Sequence, residues 1–288
     1  MSNKPQIYSV YEFVGMLYMW CEQDVFPGGE REVSAIDLKV QRDNVTNVPI
    51  CRASSLKGPI RAFFEYTKTV NVGEIFGDQE KSGALEFHNA GILLYPVHSY
   101  QGLFAYITSP SQLREYWLNH LRNGNIKDAE NLMGILNSLE EKLKSKEAII
   151  PSSSIFNGKN IVLYRGEFIF EKDQCEIDKS FDDILSTIVS QAVPKIGNNI
   201  FAGYHYLESK INESTILLRD DTFRTIVNRS LPRITRIAIE KQTKTVKTGA
   251  LFIQELIPKY TLLASGIYKA LRYSNQNQIN NFMTVSYT

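Results

Sequence analysis

The sequence has little of what most catalytic classes need. It holds three cysteines, Cys21, Cys51 and Cys175, far apart and without a C-x-x-C. That excludes a cysteine zinc site or a disulfide framework and points to reduced thiols in a cytoplasmic protein. The four histidines, His88, His98, His120 and His205, form no pair at metal-ligand spacing, and neither H-E-x-x-H nor G-x-S-x-G occurs. A G-x-G-x-x-G is also missing, which argues against a dinucleotide fold. No apolar run is long enough to span a bilayer, and Met1-Ser2-Asn3-Lys4-Pro5 lacks a signal-peptide core, so no membrane association is expected. The net charge of +1 argues against a protein that simply coats nucleic acid.

What is present is an ordinary globular composition, 43% apolar and 22% charged over 288 residues, with ample length for a core. The small net charge hides a local imbalance. Between Arg224 and Lys247 stand seven bases (Arg224, Arg229, Arg233, Arg236, Lys241, Lys244, Lys247) and one acid, Glu240. That segment is +6, which leaves −5 for the rest of a chain whose total is +1. A basic element on an acidic body suits a polyanion held in one groove; a solvated hairpin is the bland alternative.

Strands and helices interleave without a regular βαβ rhythm. Residues 7–20 read as a first strand. Ile36, Leu38 and Val40 alternate with Asp37, Lys39 and Gln41 as a strand or extended edge. Ser54-Ser55-Leu56-Lys57-Gly58 opens an amphipathic helix with Ile60, Phe63 and Phe64 on its apolar face. The serine pair would cap that helix or present its N–H groups to an anion, with Lys57 and Arg61 adding charge nearby. Residues 73–78 read as a tight turn, and 83–88, 91–97 and 103–108 as buried strands. Ser109-Pro110 starts a helix with proline at the first helical position, and a second, charged helix follows from Lys127. A hairpin around Arg165-Gly166-Glu167, a helix capped at Ser180 and stopped by Pro194, and a strand at 214–218 complete this part. The fold class expected is α+β, a β-α-β-β-α-β core with insertions.

The segment Phe76-Gly77, Ser82 to Phe87 and Gly91-Ile92-Leu93-Leu94-Tyr95-Pro96-Val97 through Ser109-Pro110 carries a family resemblance, with a second match at Arg236–Ile239 and Thr248–Pro258. With Asp37 and Ser54–Gly58, these stretches resemble the backbone, target-cleaving subunit of the type III-B (Cmr) CRISPR RNA-guided effector complex, in the RAMP superfamily. The resemblance implies a single RAMP-type domain over 1–288. It would consist of a ferredoxin-like, RRM-related palm with inserted subdomains, a helical insertion at about 111–160 and a β-hairpin thumb at about 228–258. Copies would stack in a filament along one guide RNA, beside other subunits of the complex, and cleave complementary single-stranded target RNA. The alternative is the same filament subunit, binding both RNAs with little or no cleavage.

By the same resemblance, Ser54, Ser55, Lys57 and Arg61 grip the guide backbone, and Arg233 and Arg236 belong to the RNA-binding thumb. Asp37 falls at the family's catalytic aspartate, and would hold a divalent cation, Mg²⁺ or Mn²⁺. The chain departs from the family at Phe26, where histidine is frequent, and at Gln254 and Leu256, which replace Glu and Tyr. It also lacks the usual closing glycine-rich segment. A stand-alone metabolic enzyme is the reading from another class, and no cofactor or nucleophile motif supports it.

Overall fold

The computed structural model describes residues 10–29, 36–196, 199–200, 204–237, 251–273 and 275–285. Its strands begin with β1 (Tyr11–Trp20), β2 (Ile50–Cys51), β3 (Leu85–Phe87), β4 (Ala90–His98), β5 (Phe104–Thr108), β6 (Ala148–Ile150), β7 (Ile161–Leu163) and β8 (Phe168–Phe170). They continue with β9 (Cys175–Ile177), β10 (Lys195–Ile196), β11 (Asn199–Ile200), β12 (Thr215–Leu218), β13 (Arg233–Arg236), β14 (Phe252–Glu255) and β15 (Leu262–Ala270). One mixed sheet runs in the order β1-β15-β4-β5-β12-β6-β9, with β2 paired to β4 and β3 to β15. The pairs β5–β12 and β6–β9 are parallel, whereas β1–β15, β15–β4 and β4–β5 are antiparallel.

Period-two geometry explains why the central strands read as unbroken apolar runs. Successive side chains point to opposite faces, and here both faces are covered. Leu94, Tyr106, Ile149 and Leu217 enter one cluster, while their chain neighbours Tyr95, Ile107, Ile150 and Ile216 enter the other. The first cluster is closed by helices Ala129–Lys142, Lys179–Ala192 and His205–Ser214 and by a helical run from Pro110 to Asn123. That run includes one π-helical stretch, Arg114–Leu118, which buries Tyr116 and Trp117. A Cβ at Gly91 of β4 would stand 2.1 Å from the Tyr116 ring, so only glycine lets ring and strand meet. The second cluster is closed by helix Asp220–Ser230 and the β7–β8 hairpin. A third cluster stacks Phe64, Phe76, Phe87 and Phe282 at one end.

The α+β class and most elements stand where the sequence pattern puts them. Residues 36–40 form the extended edge that their pattern allows, with one parallel bridge, Leu38 with Gln254. Four local expectations differ. Residues 73–78 are not a bare turn: Val72–Phe76 is a short helix capped by the Asn71 side chain, closed by Gly77 at φ +84°. Helix Ala53–Thr67 begins before the serine pair, with Arg52 at its N-cap position and no side-chain cap of its own. Instead Asn89, from the β3–β4 turn, accepts the Ala53 N–H at 3.0 Å. On its apolar face Phe63 is 40% exposed, leaving Leu56 and Phe64 as the buried residues. Asp178, not Ser180, caps helix Lys179–Ala192.

All three cysteines are free, and burial pushes the Cys21 thiol up to about 12 and those of Cys51 and Cys175 to about 11. They are therefore poor nucleophiles. Among the described residues, no helix is long and apolar enough to cross a membrane.

Candidate nucleic-acid interface

Three pieces of chain meet at the base of the β13–β14 hairpin. Val25 and Ile257 exchange backbone hydrogen bonds of 2.8 Å, which seats the loop Phe26-Pro27-Gly28-Gly29 beside β14. That loop lies against the strap 36–42. Gln41 N donates to Gly28 O at 3.2 Å, and a Cβ at Gly29 would stand 1.8 Å from Lys39 O, which requires glycine there. The strap then crosses to β14, with Leu38 N donating to Ile253 O at 3.1 Å and Glu255 N to Leu38 O at 2.9 Å.

This crossing positions Asp37. Its side chain is half-buried, and Oδ2 accepts the Ile253 N–H at 2.8 Å. The carboxylate is thus fixed to the hairpin base while one side remains open to solvent. Among the described residues, no three His, Cys, Asp or Glu side chains group as a metal site. A single carboxylate fits a hydrated Mg²⁺ that takes its other ligands from phosphate and water, not a cation caged by protein alone.

Beside the strap opens a cleft of about 720 Å³, lined by Lys39, Arg42, Arg52, Asn228, Arg233 and Glu255 among others. Its floor is an ion pair. Glu255 is 2% exposed, and its Oε2 lies 2.9 Å from Arg42 Nη2, while Oε1 lies 3.8 Å from Arg233 Nε. Arg42 also donates from Nε to Asn228 Oδ1 and from Nη1 to Val40 O, both at 3.0 Å. A carboxylate buried this deeply is tolerable only because it is paired and hydrogen-bonded.

The sequence-predicted residues divide into two groups. Asp37, Arg233 and Arg236 share the hairpin base, where Arg236 Nε donates to Gln254 Oε1 at 2.7 Å. Ser55 reaches the same region, since a Cβ on Gly28 would lie 3.5 Å from its Oγ. Ser54 is exposed and Lys57 half-buried on the first turns of helix Ala53–Thr67. Arg61 points elsewhere. It donates to Glu65 and to Gly77 O, both at 2.8 Å, and so ties the helix to the neighbouring turn. Of the basic segment, Arg224 and Arg229 sit on helix Asp220–Ser230, and Arg229 stacks over Phe168 rather than joining the hairpin. Lys241, Lys244 and Lys247, at the hairpin's expected tip, lie outside the described residues. Sequence reasoning missed Arg42, Arg52, Asn228 and Glu255, which come from four separate stretches and share no local pattern.

A model of the RAMP superfamily matches residues 21–283. The chain belongs to the RAMP superfamily. It is 30% identical over 247 residues to the CRISPR system Cmr endoribonuclease Cmr4 of Pyrococcus furiosus, covering 83% of this chain and 76% of that one. Against the CRISPR system CMR subunit Cmr4 of Saccharolobus solfataricus it is 27% identical over 251 residues, 80% of this chain and 75% of the other. Among solved structures, a chain of type III-B Cmr-beta bound to cognate target RNA shares the fold with a TM-score of 0.67 at 21% identity, covering 94% and 88%. Oligomeric Cmr4 from P. furiosus does so with 0.62 at 23%, covering 93% and 87%. In this RAMP chain the residues at two of the departures are well buried, Gln254 at 6% and Leu256 at 4% exposed. Leu256 N donates to Pro232 O at 2.9 Å, so that position closes the hairpin base.

Proposed function

We propose that this chain is a backbone subunit of a type III-B CRISPR RNA-guided complex. It binds guide RNA along a filament of its own copies and cleaves complementary single-stranded target RNA beside Asp37. The relatives' names support the assignment, since one is a Cmr endoribonuclease and one structural neighbour is a complex holding target RNA. The observation that carries it is the Asp37–Ile253 hydrogen bond, which ties a solvent-reaching carboxylate to the base of a basic hairpin.

The chemistry asks little of the protein. A nucleotide pushed aside by the hairpin kinks its strand, and the kink brings a 2′-hydroxyl in line with the adjacent phosphorus and its leaving 5′-oxygen. The bond from the 2′-oxygen forms as the bond to the 5′-oxygen breaks. Geometry then supplies most of the acceleration. Asp37 accepts a hydrogen bond from that hydroxyl and orients it, so RNA and not DNA is the substrate. Ser54, Ser55 and Lys57 hold the guide backbone, and Arg233 and Arg236 hold the strand at the hairpin. As the alternative role, Asp37 would hold a divalent cation, whose charge would neutralise that of the phosphate.

The test is Asp37→Asn in a reconstituted, guide-loaded complex. Cleavage of guide-matched RNA should fall by about 10²-fold or more while RNA binding is kept; unchanged cleavage removes Asp37 from the reaction. A second reading, binding without cleavage, draws on the neutral Gln254 held by Arg236 and the buried Leu256, where the family resemblance implies Glu and Tyr. A wild-type complex that holds both RNAs and cuts neither decides for that reading.

A further inference from the structure

We infer that the cleft beside the strap is a phosphodiester-binding subsite in which Arg52 and Arg233 make the contacts and Glu255 is the positioning residue that aims Arg233. The inference rests on the RNA-binding reading above and adds residues to it. Four cations line the cleft (Lys39, Arg42, Arg52 and Arg233) against one carboxylate, so its surplus charge suits an anion. The cations are not equivalent. Arg42 spends its guanidinium on Glu255, Asn228 and the Val40 carbonyl, and is therefore structural. Arg52 is exposed and has no side-chain partner among the described residues. Arg233 is 52% exposed and lies 3.8 Å from Glu255 through Nε, which leaves both terminal nitrogens for a ligand.

Glu255 is the cross-strand partner of Arg233 and is bridged to the strap through Arg42. One buried carboxylate thus fixes the hairpin base and the strap that carries Asp37 in a single arrangement. An arginine held from behind by a carboxylate presents its fork to a phosphate at lower entropic cost than a free one. The ligand is a ribonucleotide phosphodiester, from either the guide or the target strand.

The experiment uses Arg52→Ala, Arg233→Ala and Glu255→Gln in the full chain, with Lys144→Gln as a charge-matched surface control. Guide loading, and then binding of a labelled guide-complementary RNA, are measured across a salt series. Arg52→Ala and Arg233→Ala should each weaken one of the two steps about tenfold and lower its log–log salt slope by about 0.7. Loss at the loading step assigns the phosphodiester to the guide, and loss at the second step assigns it to the target. Glu255→Gln keeps the shape and removes the charge, and should weaken the same step as Arg233→Ala. Added to Arg233→Ala, it should do little more, an outcome that a general loss of stability does not produce. If all three variants match Lys144→Gln at both steps, the subsite is overturned. If the wild-type chain loads no guide, the proposed function fails on its own. The same variants are then compared on a short single-stranded oligoribonucleotide, where unchanged affinity for all three again overturns the subsite.

Discussion

The central strands and the strap 36–42 are held by different balances of force. Side chains of β4, β5 and β12 such as Ile92, Leu94, Tyr106, Ile107, Ile216 and Leu217 are wholly buried, between helices on one face and a helix and hairpin on the other. The strap buries one apolar side chain, Val40. Its other ties are polar, among them the bridge to β14, the Gln41–Gly28 backbone bond, one carboxylate on a backbone N–H and one arginine on a buried glutamate. Apolar burial is not screened by salt, whereas paired charges beside an open cleft are. The frame is therefore rigid by packing. The proposed reactive carboxylate, by contrast, sits on a segment with one buried apolar anchor, Val40, and otherwise polar ties.

The largest expected break in this contrast is in the frame. Trp117 is fully buried, and its indole N–H donates to Tyr18 Oη at 2.9 Å and Gln191 Oε1 at 3.1 Å. Trp117→Ala should cost about 3–5 kcal/mol in denaturant unfolding, equally at low and high salt.

A somewhat smaller effect belongs to His120, whose ring lies 2.7 Å from Tyr268 Oη and beside His88. Burial, with His88 adding to it, pushes His120 down to about 4 from the ordinary 6.5. Its folded pKa is depressed, so between those values the unfolded chain binds more protons. The stabilisation is complete above pH 6.5 and is lost as pH falls toward 4. At most about 3 kcal/mol is at stake, and His120→Gln should flatten that part of a pH–stability curve.

In the strap, Arg42→Ala removes the closer partner of Glu255 and should cost about 2 kcal/mol, more at low salt than at high salt. Equal cost at both salts would erase the contrast between the two regions. The smallest effect is expected at Arg61, whose pair with Glu65 is largely exposed. Arg61→Ala should change stability by less than about 1 kcal/mol, and should alter the salt slope of guide binding less than Lys57→Ala does.

Much of this was legible without coordinates. Apolar runs at 91–97 and 103–108 and Pro110 after Ser109 each report a local rule, and each element formed where that rule puts it. Of the hairpin expected in the base-rich stretch after Arg224, only the pairing of Arg233–Arg236 with Phe252–Glu255 lies within the described residues. Asp37 was legible as a candidate only through the family resemblance, because a lone acid between Ile36 and Leu38 has no distinctive pattern. Asn89 as the cap of a helix starting at Ala53, Glu255 as the partner of Arg42, and the turning of Arg61 toward Gly77 were not legible at all.

The sequence by itself determined which segments bury both faces and which carry charge, because side-chain period and composition are properties of neighbours along the chain. Only the tertiary structure decided which charges meet. Arg42, Arg52, Asn228, Arg233 and Glu255 lie up to 213 residues apart, and their pairing follows from where the sheet places the strap and the hairpin. Coulombic and hydrogen-bond energies depend on separations of a few ångströms, and no local pattern encodes such a distance.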